Sequence, residues 1–389
     1  MSTWSRREFM VSGTLLTTLA CGTSRLTGGS PWRPQVDDDL AAAADLVDQA
    51  VADGATPGCA LSVWSDGVEL LSHQAGVADR ATGAQVGPDT VFRIGSVTKQ
   101  FAAALVLDLA TQGRLALTDP VHVHLPAFVG QPAFTVLELL THTAGIHDGE
   151  YPAGLPTTRA QTEQAELIAR QAQVFDFPPG TAWLYSNANY ILIGALIERV
   201  TGAPLAVAAR PLLSRLDLGT AAFDALDDVV PGRATGYAAT GDPATPFTSA
   251  ADLDPALTGA AGAMRATAAD LGRWHQLLFR GEAGPATAAA MTTPARLRDG
   301  ALTSTHRFSP DDAVLGDTQY GLGLRLDTAT TDGSLIAAHE GAIDGFAAYL
   351  ATHVGSGLTF ACLCNVDLHG ELPFRSLRRR LFRAVLPAR

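Results

Sequence analysis

Ser96-Val97-Thr98-Lys99 sets a hydroxyl and an amine three residues apart, just ahead of the apolar run Phe101–Ala110. On a helix that spacing puts both groups on one face. The positive end of the helix favours a developing alkoxide. A desolvated amine beside the hydroxyl can be neutral enough to take its proton, which an arginine cannot do. The chain has 27 Lys+Arg residues, and Lys99 is its only lysine. Coding bias explains the surplus of Arg. The exception falls where the chemistry needs a cation able to lose its proton.

Two further clusters can complete such a site. Tyr185-Ser186-Asn187 follows the loop Pro178-Pro179-Gly180-Thr181 and precedes a helix. A phenol can shuttle a proton to a leaving group, and an Asn amide can bind a substrate amide or carbonyl. Taken alone, the pair reads as a loop aromatic and a helix cap. His339-Glu340-Gly341 closes a C-terminal strand. Gly341 lets a ligand backbone approach, and His339 can polarise or bind substrate. Taken alone, a strand histidine reads as a satisfied structural residue.

The elements that must hold these residues are readable in outline. A helix is expected from Asp37-Asp38-Asp39 to about Gly54, then a hairpin of Cys59–Trp64 and Val68–Val77 around Ser65-Asp66-Gly67. From Ser96 to Ala290 the pattern is mainly helical. It includes Phe101–Ala110, Val136–Leu140, Asn189–Val200 closed by Gly202, and a helix opened by Thr267-Ala268-Ala269-Asp270, similar to a capping box. Strands return at Leu322–Leu326, Ser334–His339, Phe346–Thr352 and Leu358–Asn365. A last helix carries Phe374, Leu377, Leu381 and Val385 near one face. The expected fold is therefore α/β (α+β). An antiparallel sheet is built from N- and C-terminal strands and flanked by helices, with a large, mainly helical lobe inserted between them. The expected boundaries are 1–36 for an export signal and linker, 37–95 and 315–389 for the sheet lobe, and 96–314 for the helical lobe.

Ser-x-x-Lys, Tyr-Ser-Asn and His-x-Gly, in that order on helix, loop and strand, resemble the serine β-lactamase and penicillin-binding-protein superfamily. The chain is most similar to its class C β-lactamase, D-alanyl-D-alanine carboxypeptidase and related esterase branch. The likeness runs from about residue 38 to 385. It is supported by Phe92–Phe101, Leu139–Ile146, Tyr185–Tyr190 with Gly194 and Glu198, Ala261-Gly262 with Thr267 and Asp270, and Tyr320–Gly323. The resemblance implies that Ser96 is acylated, that Lys99 and Tyr185 share general acid/base work, and that Asn187 contacts the acyl side. It also implies an oxyanion hole formed by the backbone N–H groups of Ser96 and Ala342. His339 stands where β-lactamases often carry Lys. No metal or organic cofactor is implied. The expected partner is a small-molecule or peptide substrate: a D-Ala-D-Ala-type peptide, a β-lactam or an ester. A carboxypeptidase-like activity leads on family grounds; the alternatives on the same site are a carboxylesterase or amidase, which Glu340 favours, or a β-lactamase. A binder that acylates without turnover is the rival of another class.

Two departures bear on the substrate. Glu340 stands where the family often has Thr, Ser or Gly, whose hydroxyl, where present, helps hold a substrate carboxylate; a Glu would repel one unless it points away or is protonated. The missing Lys at 339 removes a fixed charge near the same carboxylate, for which Arg325 is a candidate substitute. Other candidates read as structural. His142 lies at a helix end. His122 and His124 have no third ligand nearby. His147-Asp148 resembles half a triad, but no Gly-x-Ser-x-Gly elbow accompanies it. Arg378-Arg379-Arg380 reads as a solvated helix face.

The 389 residues are 47% hydrophobic and 17% charged, which excludes a disordered chain. A net charge of −12 without a basic lobe argues against a nucleic-acid partner. Ser5-Arg6-Arg7-Glu8-Phe9-Met10 and the short apolar stretch Val11–Ala20 resemble a twin-arginine export signal. The stretch is too short to span a bilayer. Cys21 offers a point of membrane anchoring, although Thr18 stands where lipoprotein sites usually carry Leu. Cys59, Cys362 and Cys364 show no metal-ligand spacing. They read as three buried thiols, although export permits a disulfide between Cys59 and one of the other two.

Overall fold

The computed structural model describes residues 33–149, 160–225, 228–251, 254–284, 286–384 and 386. The twin-arginine segment, Cys21 and Val385 lie outside the described residues. Helix α1 (Arg33–Ala52) leads into the hairpin β1 (Gly58–Ser65) and β2 (Val68–Asp79), followed by the short β3 (Ala84–Gln85) and β4 (Phe92–Arg93). The middle of the chain holds α2 (Thr98–Thr111), α3 (Val136–Leu140), α4 (Gln161–Ala169), α5 (Asn187–Thr201) and α6 (Leu205–Arg215). Next come β5 (Ala222–Phe223), β6 (Tyr237–Ala239), β7 (Phe247–Ser249), β8 (Met264–Ala266), α7 (Ala268–Phe279) and α8 (Thr287–Met291). The chain closes with β9 (Gln319–Tyr320), β10 (Arg325–Asp327), β11 (Ile336–Ile343), β12 (Phe346–His353), β13 (Leu358–Cys364) and α9 (Phe374–Leu381).

Eight strands form one antiparallel sheet in the order β3-β2-β1-β13-β12-β11-β10-β9. The N-terminal hairpin thus pairs with the last strand of the chain, through Cys59↔Cys364 to Trp64↔Thr359. This is the expected sheet of two sequence-distant halves. β1 is buried on both faces, so its apolar residues run on rather than alternate, interrupted only by the buried Ser62. Leu61, Val63, Phe360 and Cys362 pack with Ala43 and Val47 of α1 and with Phe374 and Leu377 of α9. Ala60, Ala361 and Leu363 join the larger core with α2, α5 and α7.

Several local expectations need correction. α1 starts at Arg33 rather than at the Asp37–Asp39 run; Pro34 is tolerated there because first-turn N–H groups have no helical partner. The mainly helical stretch also contains β5 and β8, which join β4 in a three-stranded sheet in the order β4-β8-β5, and the hairpin β6-β7. Their strands of two or three residues are too short to show a period. The strand expected over Leu322–Leu326 is confined to Arg325–Asp327, because Gly323 adopts φ +71° in a turn. β11 does not stop at Gly341 but runs on to Ile343. The capping box at α7 is half made. Thr267 Oγ1 accepts from the Asp270 N–H, but the Asp270 carboxylate turns to Thr220, whose hydroxyl accepts from the Thr267 N–H. The complete box is at α3, between Thr135 and Glu138.

The Arg face of α9 is tied down. Arg378 pairs with Asp327, and Arg380 and Arg383 each lie 2.9 Å from Asp39. The three cysteines behave differently from their sequence spacing. Sheet closure sets the Cys59 Sγ 3.4 Å from both Cys362 Sγ and Cys364 Sγ, all three as free buried thiols. Among the described residues no single helix is long and apolar enough to cross a membrane.

Candidate active site

The sheet edge and the helical lobe meet at Ser96. Gly95–Val97 forms a 3₁₀ turn that feeds straight into α2, so Ser96 precedes the α-helix by one short turn. The turn lies against the edge of β11. A Cβ on Gly95, which has φ +49°, would fall 2.5 Å from the Ala342 nitrogen. A Cβ on Gly341 would fall 2.0 Å from the Ile94 carbonyl oxygen. Gly341 therefore serves the approach of its own chain, not the ligand backbone expected from sequence. The same packing brings the Ala342 backbone beside Ser96, where an oxyanion hole would need it.

Lys99 is completely buried in the first turn of α2. Its Nζ donates to Ser96 Oγ at 3.0 Å, to Asn187 Oδ1 at 2.9 Å and to the Ala261 carbonyl at 2.8 Å. Its Nζ also lies 4.8 Å from the Tyr185 ring centroid. Among the described residues no carboxylate is in contact with it. Burial pulls its pKa down to about 7; Asp148 opposes this at longer range, and Arg325 adds to it.

Asn187, the first residue of α5, holds a fixed amide orientation. Its Oδ1 faces Lys99 and its Nδ2 donates to Asp148 Oδ2 at 3.3 Å. Asp148 also accepts from the Ala188 N–H at 3.1 Å, which places its carboxylate at the N-terminus of α5. His147 pairs instead with Asp176 at 2.7 Å, so His147 and Asp148 are not a dyad. His124 pairs with Asp119 at 2.9 Å.

Tyr185 is half-buried, and its hydroxyl faces the Ser96 side chain. Burial raises its pKa above the ordinary phenol value, and the hydrogen bond with Ser96 opposes that rise. Behind it lies His142, with ring centroids 4.4 Å apart. His142 is fully buried and has φ +60°. Its Nδ1 accepts from the Ser186 N–H and from Asn189 Nδ2, so it orders the loop that carries Tyr185. Its pKa is pushed well down by burial.

His339 is buried in β11. Its Nδ1 lies 2.6 Å from the Glu340 carbonyl and must donate to it, which leaves Nε2 to accept from the Tyr320 hydroxyl at 3.0 Å. Both ring nitrogens are engaged within the protein. Burial holds its pKa well below the usual value. His339 is thus a neutral ring, not a replacement cation. Glu340 is exposed and pairs in register with Tyr349, whose ring stacks on Phe374 of α9. Paired residues share a face and successive ones alternate, so Glu340 projects away from the side that His339 faces.

The cation near the site is Arg325, at the start of β10. Its guanidinium carbon lies 5.9 Å from the Tyr185 ring centroid. Among the described residues it makes no hydrogen bond or ion pair, and its Nε is buried without a partner. The structure therefore brings together Ser96, Lys99, Tyr185, Asn187, His339, Gly341 and Ala342. To these it adds Asp148, Tyr320, His142 and the placement of Arg325. Sequence reasoning saw Asp148 only as a partner for His147, because its contact with the start of α5 joins residues far apart in the chain. Tyr320 carried a signal, as part of the Tyr320–Gly323 stretch.

The family model described as Beta-lactamase matches residues 43–383. Penicillin-binding protein 4 of Amycolatopsis lactamdurans is 32% identical over 79% of this chain and 81% of its own length. Esterase EstB of Burkholderia gladioli is 36% identical over 45% of this chain, and the chain spans about half (49%) of that esterase. Among solved structures, a D-stereospecific amidohydrolase from Streptomyces sp. superposes with a TM-score of 0.69 at 27% identity, covering 89% of this chain and 98% of its own. The chain belongs to the Beta-lactamase family and is a serine hydrolase of that fold.

Proposed function

We propose that the protein hydrolyses an amide or peptide bond through an acyl-enzyme, on substrates with a carboxylate on the leaving side. D-alanyl-D-alanine carboxypeptidase-like activity fits this description. Ser96 Oγ attacks the carbonyl carbon and its proton passes to Lys99. A neutral amine has two N–H groups and one lone pair. Asn187 Oδ1 and the Ala261 carbonyl can only accept, so they take the two N–H groups and leave the lone pair for the Ser96 hydroxyl. Tyr185, held as a neutral phenol, is unsuited to be the base; it passes its proton to the departing nitrogen as it takes up the one held by Lys99, which leaves Lys99 neutral again for deacylation. The backbone N–H groups of Ser96 and Ala342 take the oxyanion. Water then releases the acyl group and restores the Ser96 hydroxyl.

The observation that carries the substrate reading is the Arg325 guanidinium beside Tyr185, which has no carboxylate partner among the described residues. It supplies the positive charge that His339 lacks, and Glu340 faces the other side of the sheet. The test compares an acyl-D-Ala-D-Ala peptide with its C-terminal amide and with a p-nitrophenyl ester. Arg325→Gln should cut kcat/KM about 10–100-fold on the free acid and leave the ester near wild type, because only the acid loses a charge-assisted bond. Equal losses on all three substrates would overturn the assignment. Asp148 supports a second reading. Its carboxylate beside Asn187 suits a free ammonium, as in the amide of a D-amino acid, and the same panel would show it as preference for that amide. We further propose export through the twin-arginine segment, which a fractionation of producing cells would test.

A further inference from the structure

We propose that Cys59, Cys362 and Cys364 form a trigonal thiolate site for a soft, low-coordinate metal ion of the Cu(I) class. The three residues come from β1 and β13 and project on one face of the sheet, beneath α1 and α9. Each is fully buried. Cys59 Sγ lies 3.4 Å from each of the other two sulfurs, and all three lie within 4.8 Å of one another. In a triangle with two 3.4 Å sides and a third of at most 4.8 Å, the point equidistant from the corners is no more than about 2.4 Å from each. Metal–thiolate bonds are about 2.3 Å long. The sulfurs therefore already surround a point where one ion would bond to all three.

The surroundings narrow the class of ion. Among the described residues no His, Asp or Glu joins the three sulfurs. A tetrahedral Zn(II) site would lack a fourth Cys, His or carboxylate ligand among the described residues, and a hard cation would find no carboxylate there. Thiolates alone select soft ions such as Cu(I). A disulfide is less well served by this arrangement. Any one bond between Cys59 and a neighbour leaves the third thiol beside it, and the triangle does not place that thiol in line for exchange. Each Cu–S bond made by a thiolate releases one proton to solvent, so affinity rises with pH.

The experiment titrates the reduced full-length protein anaerobically with Cu(I) held by a competing chelator. It is run once on folded protein and once during refolding, because the thiols are buried. One Cu(I) per chain, with three sulfur neighbours in X-ray absorption and little binding of Zn(II), is the expected result. Cys59→Ser, Cys362→Ser and Cys364→Ser should each weaken binding at least about 100-fold, since each removes a direct ligand. The Cys→Ala set and circular dichroism guard against a variant that fails to fold. The proposal is overturned if neither preparation takes Cu(I) from the chelator while the three thiols remain reduced. It is equally overturned if the triple variant binds as well as wild type, or if the isolated protein carries Cys59 in a disulfide.

Discussion

Lys99 and Asp224 are both fully buried ionisable groups, yet the molecule treats them in opposite ways. The Asp224 side chain meets Arg93 at 3.0 Å, Arg233 at 3.2 Å and Arg265 at 3.1 Å. Its charge is compensated on the spot, and the cluster pins β4, β5 and β8 together. Among the described residues Lys99 meets three neutral oxygens and no carboxylate. It keeps its hydrogen bonds but holds its charge only weakly, with a pKa pulled down to about 7. Burial alone therefore does not decide protonation; the kind of partner does. A counter-ion makes a buried charge structural, and its absence makes a buried amine a base.

The largest effects expected are on turnover. Ser96→Ala should lower kcat by about 10⁶-fold, as expected for a lost nucleophile. Lys99→Arg should lower it by about 10²–10⁴-fold, because the guanidinium keeps a charge that the reaction needs to shed. Stopped-flow acylation with a chromogenic ester measures both, and near wild-type rates in either variant would remove the contrast with Asp224. The Asp224 side of the comparison is read in stability. Asp224→Asn should cost about 3–5 kcal/mol in denaturant unfolding, by leaving buried guanidinium groups uncompensated. The folded fraction should retain its pH profile.

That profile is the next, smaller effect. The base must be neutral, so kcat/KM should rise with pH through an apparent value near 7, the pKa to which burial lowers Lys99. Asp148 raises the Lys99 pKa, so Asp148→Asn should move this limb to lower pH. The shift should be a fraction of a unit, because the two groups are not in contact. A limb that stays put or moves upward would show that Asp148 does not act on Lys99. The smallest effect belongs to Glu340→Thr. With Glu340 on the opposite face, its replacement should leave carboxylate-bearing substrates within about twofold of wild type, since exposed charges are screened.

What the sequence disclosed about the site was its covalent part. Ser96, Lys99, Tyr185 and Asn187 stand next to helix starts, and local spacing is enough to mark such positions. The sheet was also legible, because its long strands carry apolar runs at both ends of the chain. Properties set by distant packing stayed hidden. The neutrality of His339 depends on Tyr320 and on a carbonyl of its own strand. The direction of Glu340 depends on a register that runs on to Ile343. Gly341 was read as making room for a ligand, when the Ile94 carbonyl fills that space. The meeting of three cysteines follows only from the pairing of β1 with β13, two strands some three hundred residues apart.

The central claim is that Lys99 is an uncompensated buried amine that titrates near neutrality. A single lysine in the chain makes this directly observable. Protein labelled with ¹³C at lysine Cε gives one side-chain resonance, which can be followed across pH without assignment. The account predicts a midpoint near 7, unchanged in Asp224→Asn protein that remains folded and lost when the protein unfolds. A midpoint close to the ordinary lysine value of 10.5 would contradict it, because Ser96 would then face a permanent ammonium with no lone pair to offer.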